Sequence, residues 1–96
     1  MSYRLTKRAS YEFGQIYLRG VRDFSYDVAD KYAVGLLKTF AFLGDFPMAA
    51  RERRETDPPV RVHPFRSHLI IYRVEGDEAV IVRIAHGHED WPSSLD

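Results

Sequence analysis

Two runs rich in aliphatic and β-branched residues, Ser67 to Val74 and Ala79 to Ala85, flank the polar tetrapeptide Glu75-Gly76-Asp77-Glu78. No other feature restricts the fold of this chain as much. Each run has strand length, and a Gly-Asp pair between two such runs is a tight-turn signal, so the segment predicts a β-hairpin. Counting outward from Gly76 and Asp77 pairs Glu75 with Glu78. One face of the hairpin then carries Ser67, Leu69, Ile71, Arg73, Val80, Val82, Ile84 and His86, and the other carries His68, Ile70, Tyr72, Val74, Ala79, Ile81, Arg83 and Ala85. The first face suits a covering layer of helices. The second is too apolar to be left to water, so a partner protein or the loop from Arg51 to Pro59 is expected to cover it.

Upstream the period changes from two to between three and four. Tyr3-Arg4-Leu5 reads as a brief edge strand and Thr6 as a helix N-cap. Phe13, Ile16, Tyr17, Gly20 and Phe24 then form one amphipathic stripe. Ser25 or Asp27 opens a second helix carrying Ala29, Tyr32, Ala33, Leu36, Phe40 and Leu43, which Gly44 and Pro47 end. Two helices joined so closely must run antiparallel. From Phe46 to Pro64 no period survives; Arg51-Glu52-Arg53-Arg54-Glu55 and Asp57-Pro58-Pro59 read as a charged loop, with Val60 to Val62 a short strand. The order gives an α+β fold: an N-terminal strand, then an antiparallel two-helix hairpin packed on a small antiparallel β-sheet.

At 96 residues with 45% apolar and 29% charged side chains, the chain is sized and composed for one globular domain over 1–96. From about residue 88 onward a flexible tail is expected. No apolar run has the length of a membrane span, and the first residues lack the apolar stretch of a secretory signal. A soluble, cytoplasmic protein without a membrane partner is therefore expected. The absence of cysteine excludes disulfides, thiolate catalysis and Cys-ligated zinc. Charge sums to zero but is unevenly spread: Arg51 to Arg73 has six Lys/Arg against three Asp/Glu, and Val74 to Asp96 has one against six. A chain that clamps a large RNA carries a strong positive excess, which this one lacks.

Chemistry-bearing residues gather at the end of the hairpin. His68, Tyr72 and Arg83 on one face could supply base, acid and phosphate-binding cation for RNA cleavage; equally, Tyr72 is a half-buried sheet residue and Arg83 pairs with an acid. His86, His88, Glu89 and Asp90 have no second ligand pair elsewhere, so no metal and no cofactor is expected. Trp91 reads either as a contact residue in a mobile tail or as a side chain folded back on the sheet edge.

The string Ser67-His68-Leu69-Ile70-Ile71-Tyr72-Arg73-Val74, followed by Val80-Ile81-Val82-Arg83-Ile84-Ala85-His86-Gly87, resembles the C-terminal signature of the ParE branch of the RelE/ParE toxin superfamily. Ala9, Glu12-Phe13, Ile16-Tyr17, Ala29-Asp30-Lys31-Tyr32, Leu36 and Phe46-Pro47 fall where that branch places its two-helix pattern. Where the family often has Leu-Gly-Arg after its Phe-Pro, this chain has Met48-Ala49-Ala50-Arg51.

The resemblance implies a type II toxin that inhibits DNA gyrase and thus replication, is no enzyme, and is neutralised in a tight hetero-oligomeric complex with a ParD-like antitoxin. It implies no sequence-specific DNA binding by the toxin alone. The RelE-type alternative, a ribosome-dependent mRNA endoribonuclease, would draw on Arg83, His86 and Tyr72. The gyrase-type reading assigns target binding to Arg83, His86, His88 and Trp91. Antitoxin binding falls to Phe13, Ile16, Tyr17, Leu36, Phe40, Ile70, Tyr72 and Ile81. Arg83→Ala is expected to leave folding intact and to alter toxicity or antitoxin affinity.

Overall fold

The computed structural model describes residues 2–95. Strand β1 (Ser2–Leu5) leads into helix α1 (Lys7–Asp23), and helix α2 (Tyr26–Asp45) returns antiparallel to it. Strands β2 (Glu52–Arg53), β3 (Val60–Phe65), β4 (His68–Glu75) and β5 (Glu78–His86) follow, and a 3₁₀ turn (Trp91–Ser94) ends the chain. The helix starts lie where the hydroxyl residues predict them. Thr6 Oγ1 accepts the Ala9 amide at 3.1 Å, and Ser25 Oγ accepts that of Val28 at 3.1 Å, each meeting an amide that has no partner within its helix.

The five strands form one sheet in the order β1-β5-β4-β3-β2. It is mixed rather than wholly antiparallel. β4 occupies one edge of β5, and β1 takes the other running parallel to it, from Ser2 opposite Glu78 to Leu5 opposite Ile81. An alternation of three residues carries no direction, so the sequence could not show this. β3 runs three residues further than predicted, through Pro64 to Phe65. β2 pairs only with Arg61 and Val60, so Pro64 lies where β3 is the sheet's edge and its missing amide breaks no ladder.

Between β4 and β5 the predicted turn is present, with Glu75 opposite Glu78 and Gly76 at φ +64°, a conformation that favours glycine. The register counts outward as expected as far as Tyr72 opposite Ile81. There β5 carries one extra residue, Val82, and beyond it Ile71 faces Arg83, Ile70 faces Ile84 and His68 faces His86. A bulge of this kind moves every later side chain to the other face. Ile84 and His86 thereby join the row of His68, Ile70 and Tyr72, and Arg83 leaves it.

The helices cover the face carrying Ile70, Tyr72, Val74, Ala79, Ile81 and Ile84, with Leu36, Phe40 and Leu43 of α2 packed on it. This reverses the predicted assignment. Both faces of the hairpin are apolar, so the pattern within it could not decide which one the helices choose. The face that the helices leave, carrying Ile71 and Leu69, is covered by the C-terminal segment rather than by the charged loop. The residues after His86 turn back so that Trp91 and Leu95 pack with Ile71, Ala85 and Val82. The tail from residue 88, expected to be free, is packed, and Trp91 is only 7% exposed.

Leu36, Phe40, Ile70, Ile71, Ile81 and Tyr72 are fully enclosed, each apolar side chain contributing roughly 1.5–3 kcal/mol by burial. Enclosure settles the role of Tyr72: its hydroxyl donates to Pro47 O at 2.8 Å and accepts the Ala50 amide at 3.3 Å. This side chain anchors the segment after α2, together with Arg61, whose Nη1 donates to Ala50 O at 2.5 Å. Tyr72→Phe keeps the ring and strips two backbone groups of their partner, so it is expected to lower stability by about 1–3 kcal/mol. A urea denaturation midpoint that falls at unchanged slope is the check; an unmoved midpoint would mean that the hydroxyl anchors nothing.

Candidate functional site

Two features converge where α1 passes the open end of the β4–β5 hairpin. The first is an ionic hub on Arg83, 4% exposed. Its Nε donates to Glu12 Oε2 at 2.9 Å, with Nη2 closer still to the same oxygen; Nη1 donates to Glu89 Oε2 at 2.6 Å and to Ser94 Oγ at 2.8 Å. The outer oxygens of both carboxylates serve the backbone. Glu12 Oε1 accepts the Ile84 amide at 2.8 Å and Glu89 Oε1 accepts that of His86 at 3.1 Å. Just before them, the Thr6 amide donates to Ile81 O at 3.0 Å and its hydroxyl to Val82 O at 3.1 Å. Where β1 stops, side chains of α1 and the tail continue the ladder along β5. Arg8 adds a bond to Ser94 O.

Burial works to lower the Arg83 pKa, and its hydrogen bonds to Glu12 and Glu89 more than offset it, so the guanidinium stays charged. The hydrogen bond from Arg83 in turn holds the Glu89 carboxyl below the ordinary glutamate range. The expectation of Arg83 as an accessible contact residue is corrected: both of its faces are occupied within the chain. Its alternative reading, that it pairs with an acid, is what the structure shows.

The second feature is a cleft of about 200 Å³ between α1 and α2. Gly20 and Ala29 let the two helices close on each other there; a Cβ on Gly20 would stand 3.2 Å from that of Ala29. Phe13, Ile16 and Tyr17 form one wall, Val28, Tyr32 and Leu36 the other, and Phe24, 73% exposed, stands at the helical tip. The floor toward the sheet is polar. Ser67, His68 and His86 line it, with Arg19 above them on α1. His68 Nδ1 lies 2.7 Å from the Tyr32 hydroxyl, its ring centroid is 5.5 Å from that of His86, and His88 follows at 6.2 Å from His86. Burial first, then the neighbouring His86, depress the His68 pKa. Burial raises that of Tyr32.

Of the residues assigned to antitoxin binding, Phe13, Ile16 and Tyr17 line the cleft and Leu36 closes its base. Phe40, Ile70, Tyr72 and Ile81 lie beneath it, wholly buried, and reach no surface. Of the target-binding set, His86 and His88 are exposed while Arg83 and Trp91 are enclosed. The nuclease set does not converge as free groups. Tyr72 is tied to the segment after α2, Arg83 lies between two carboxylates, and His86 faces the cleft. Among the described residues no three His, Cys, Asp or Glu side chains gather as a metal site, and no helix is long and apolar enough to cross a membrane. Sequence reasoning missed Arg19, Tyr32, Phe24 and Val28 as cleft residues; Tyr32 and Phe24 stood in the helical stripes, but Arg19 left no signal.

Replacing Arg83 with alanine strands a carboxylate whose side chain is 16% exposed. Losing one partner of such a pair is expected to cost about 3–5 kcal/mol. Trp91, the only tryptophan, reports it: emission should shift to the red as the tail lifts from the sheet. Acid should do the same. A carboxyl depressed in the folded state contributes stability that is complete above the unfolded glutamate pKa and lost as pH falls through the lower folded value. Unshifted Trp91 emission in both experiments would remove the tail from the hub's dependents.

A family model described as the ParE toxin of the type II toxin-antitoxin system, parDE, matches residues 3–91. A solved structure described as the chromosomal ParDE TA system from P. aeruginosa superposes with a TM-score of 0.76 at 24% identity, covering 90% of this chain and 95% of that one. No curated protein matches the sequence.

Proposed function

The chain belongs to the ParE toxin family of type II toxin-antitoxin systems, and on that premise we propose that it acts in the cytoplasm by binding rather than by catalysis. Its target is DNA gyrase, and a ParD-like antitoxin holds it silent. The observation that carries the reading is the open cleft between α1 and α2. It is apolar along both walls, it ends in the exposed Phe24 and Val28, and it has the form that receives the apolar ridge of a partner helix. The P. aeruginosa neighbour comes from a ParDE system, which supports an antitoxin as that partner. Phe13, Ile16 and Tyr17 face the antitoxin in this reading, and the exposed His88 remains for the target.

Two observations weigh against RNA cleavage as the toxic step. Tyr72 and Arg83 are saturated by bonds within the chain. The formal charge is zero, whereas a protein gripping the ribosome and its message relies on phosphate neutralisation.

Induced expression without the neighbouring gene is expected to give filamentous cells with a DNA-damage response. The purified protein should stop gyrase from supercoiling relaxed plasmid at micromolar concentration. Cleaved messages on stalled ribosomes, with gyrase still supercoiling, would replace this reading by the nuclease one.

A further inference from the structure

The polar floor of the cleft carries an unbalanced charge. Arg19 reaches it from α1, Arg66 stands at the β3–β4 turn, and His68, His86 and His88 stack along the ends of β4 and β5. Every carboxylate facing this cluster already has a partner. Glu12 is held by Arg83 and the Ile84 amide, Glu89 by Arg83 and the His86 amide, Asp23 by Arg22, and Asp30 by the Tyr17 hydroxyl. Among the described residues Arg19 forms no ion pair and acts on Asp23 and His68 only through space, and Arg66 lies over the Phe65 ring.

An apolar trough with an unanswered cationic end specifies its occupant. We propose that the cleft seats an amphipathic antitoxin helix whose apolar ridge enters between Phe13, Ile16 and Val28 and whose carboxylate is delivered to Arg19, His68 and His86. This rests on the proposed function and adds the chemistry of recognition and its dependence on protons.

A carboxylate arriving within about 4–6 Å favours the protonated imidazole. Binding therefore takes up protons, and affinity rises as pH falls from 8 to 6, a range in which the partner carboxylate stays ionised. The floor is built to accept the proton. With the His68 hydrogen on Nε2, Tyr32 donates to Nδ1; when Nδ1 carries a proton, the hydroxyl accepts instead and turns its own hydrogen to Phe65 O at 3.5 Å. Apolar capping of the imidazoles would have the opposite sign, since covering them disfavours the charged form and makes binding release protons.

The test titrates the purified toxin with the antitoxin encoded beside it, by calorimetry at pH 6, 7 and 8 in buffers of different ionisation enthalpy. The dissociation constant is expected to tighten about fivefold from pH 8 to pH 6 with net proton uptake, as a coupling near one pKa unit gives. His86→Gln, at an exposed side chain, should flatten that slope and so separate it from the antitoxin's own histidines. Arg19→Glu, also exposed, should weaken binding about tenfold or more, as like-charge juxtaposition does, while leaving the thermal midpoint of the free toxin in place. A flat or inverted pH profile, a slope untouched by His86→Gln, or full affinity in Arg19→Glu overturns the inference and leaves the antitoxin reading standing. Absence of any binding by the wild-type pair overturns both.

Discussion

β1 ends opposite Ile81 while β5 continues to His86, and the amides of Ile84 and His86 need acceptors that no strand supplies. An orphaned sheet edge of this kind invites pairing with foreign chains. Here two carboxylates stand in for the missing strand, and one guanidinium stands between them, bonded to both. Because Glu12 belongs to α1 and Glu89 to the C-terminal segment, the same cation fixes the helix over one side of the sheet and the tail over the other. The orientation of the cleft walls and the burial of Trp91 both descend from it.

The local grammar of the fold was legible. Thr6 and Ser25 announce the helix starts, Gly76-Asp77 announces the turn, and the stripes through Phe13 and Leu36 announce the faces that meet. The failures were non-local. Val82 changes the register of β5 without any composition signal, because a valine in a bulge reads as a valine in a strand. The choice between two equally apolar faces depended on α2, and the cover over the rejected face came from Trp91 and Leu95, a stretch too polar in composition to advertise itself as core.

Part of the candidate site could be read in advance and part could not, for the same reason. Phe13, Ile16 and Tyr17 were found because helical periodicity points to a surface that must meet something. Phe40, Ile70 and Ile81 carry the same apolar signal and meet the chain's own interior. Periodicity distinguishes faces of an element, not which faces lie inside the finished layer. Arg83 shows the complementary limit. An arginine amid a sheet-forming run looks like a functional intrusion until its partner, 71 positions earlier, is brought beside it.

The parallel pairing of β1 with β5 imposes an order in time. Residues 2–5 leave the ribosome well before their partner, residues 78–81. The helical hairpin can form early from local contacts, but the sheet against which it packs cannot close until β5 has been made, and contacts of such long span are slow to make. A nascent chain therefore displays the apolar faces of α1 and α2 before its own sheet can cover them. Any chain cut short before β5 lacks both the partner of β1 and the cation that seals the open edge, so the domain closes only once β5 has been made.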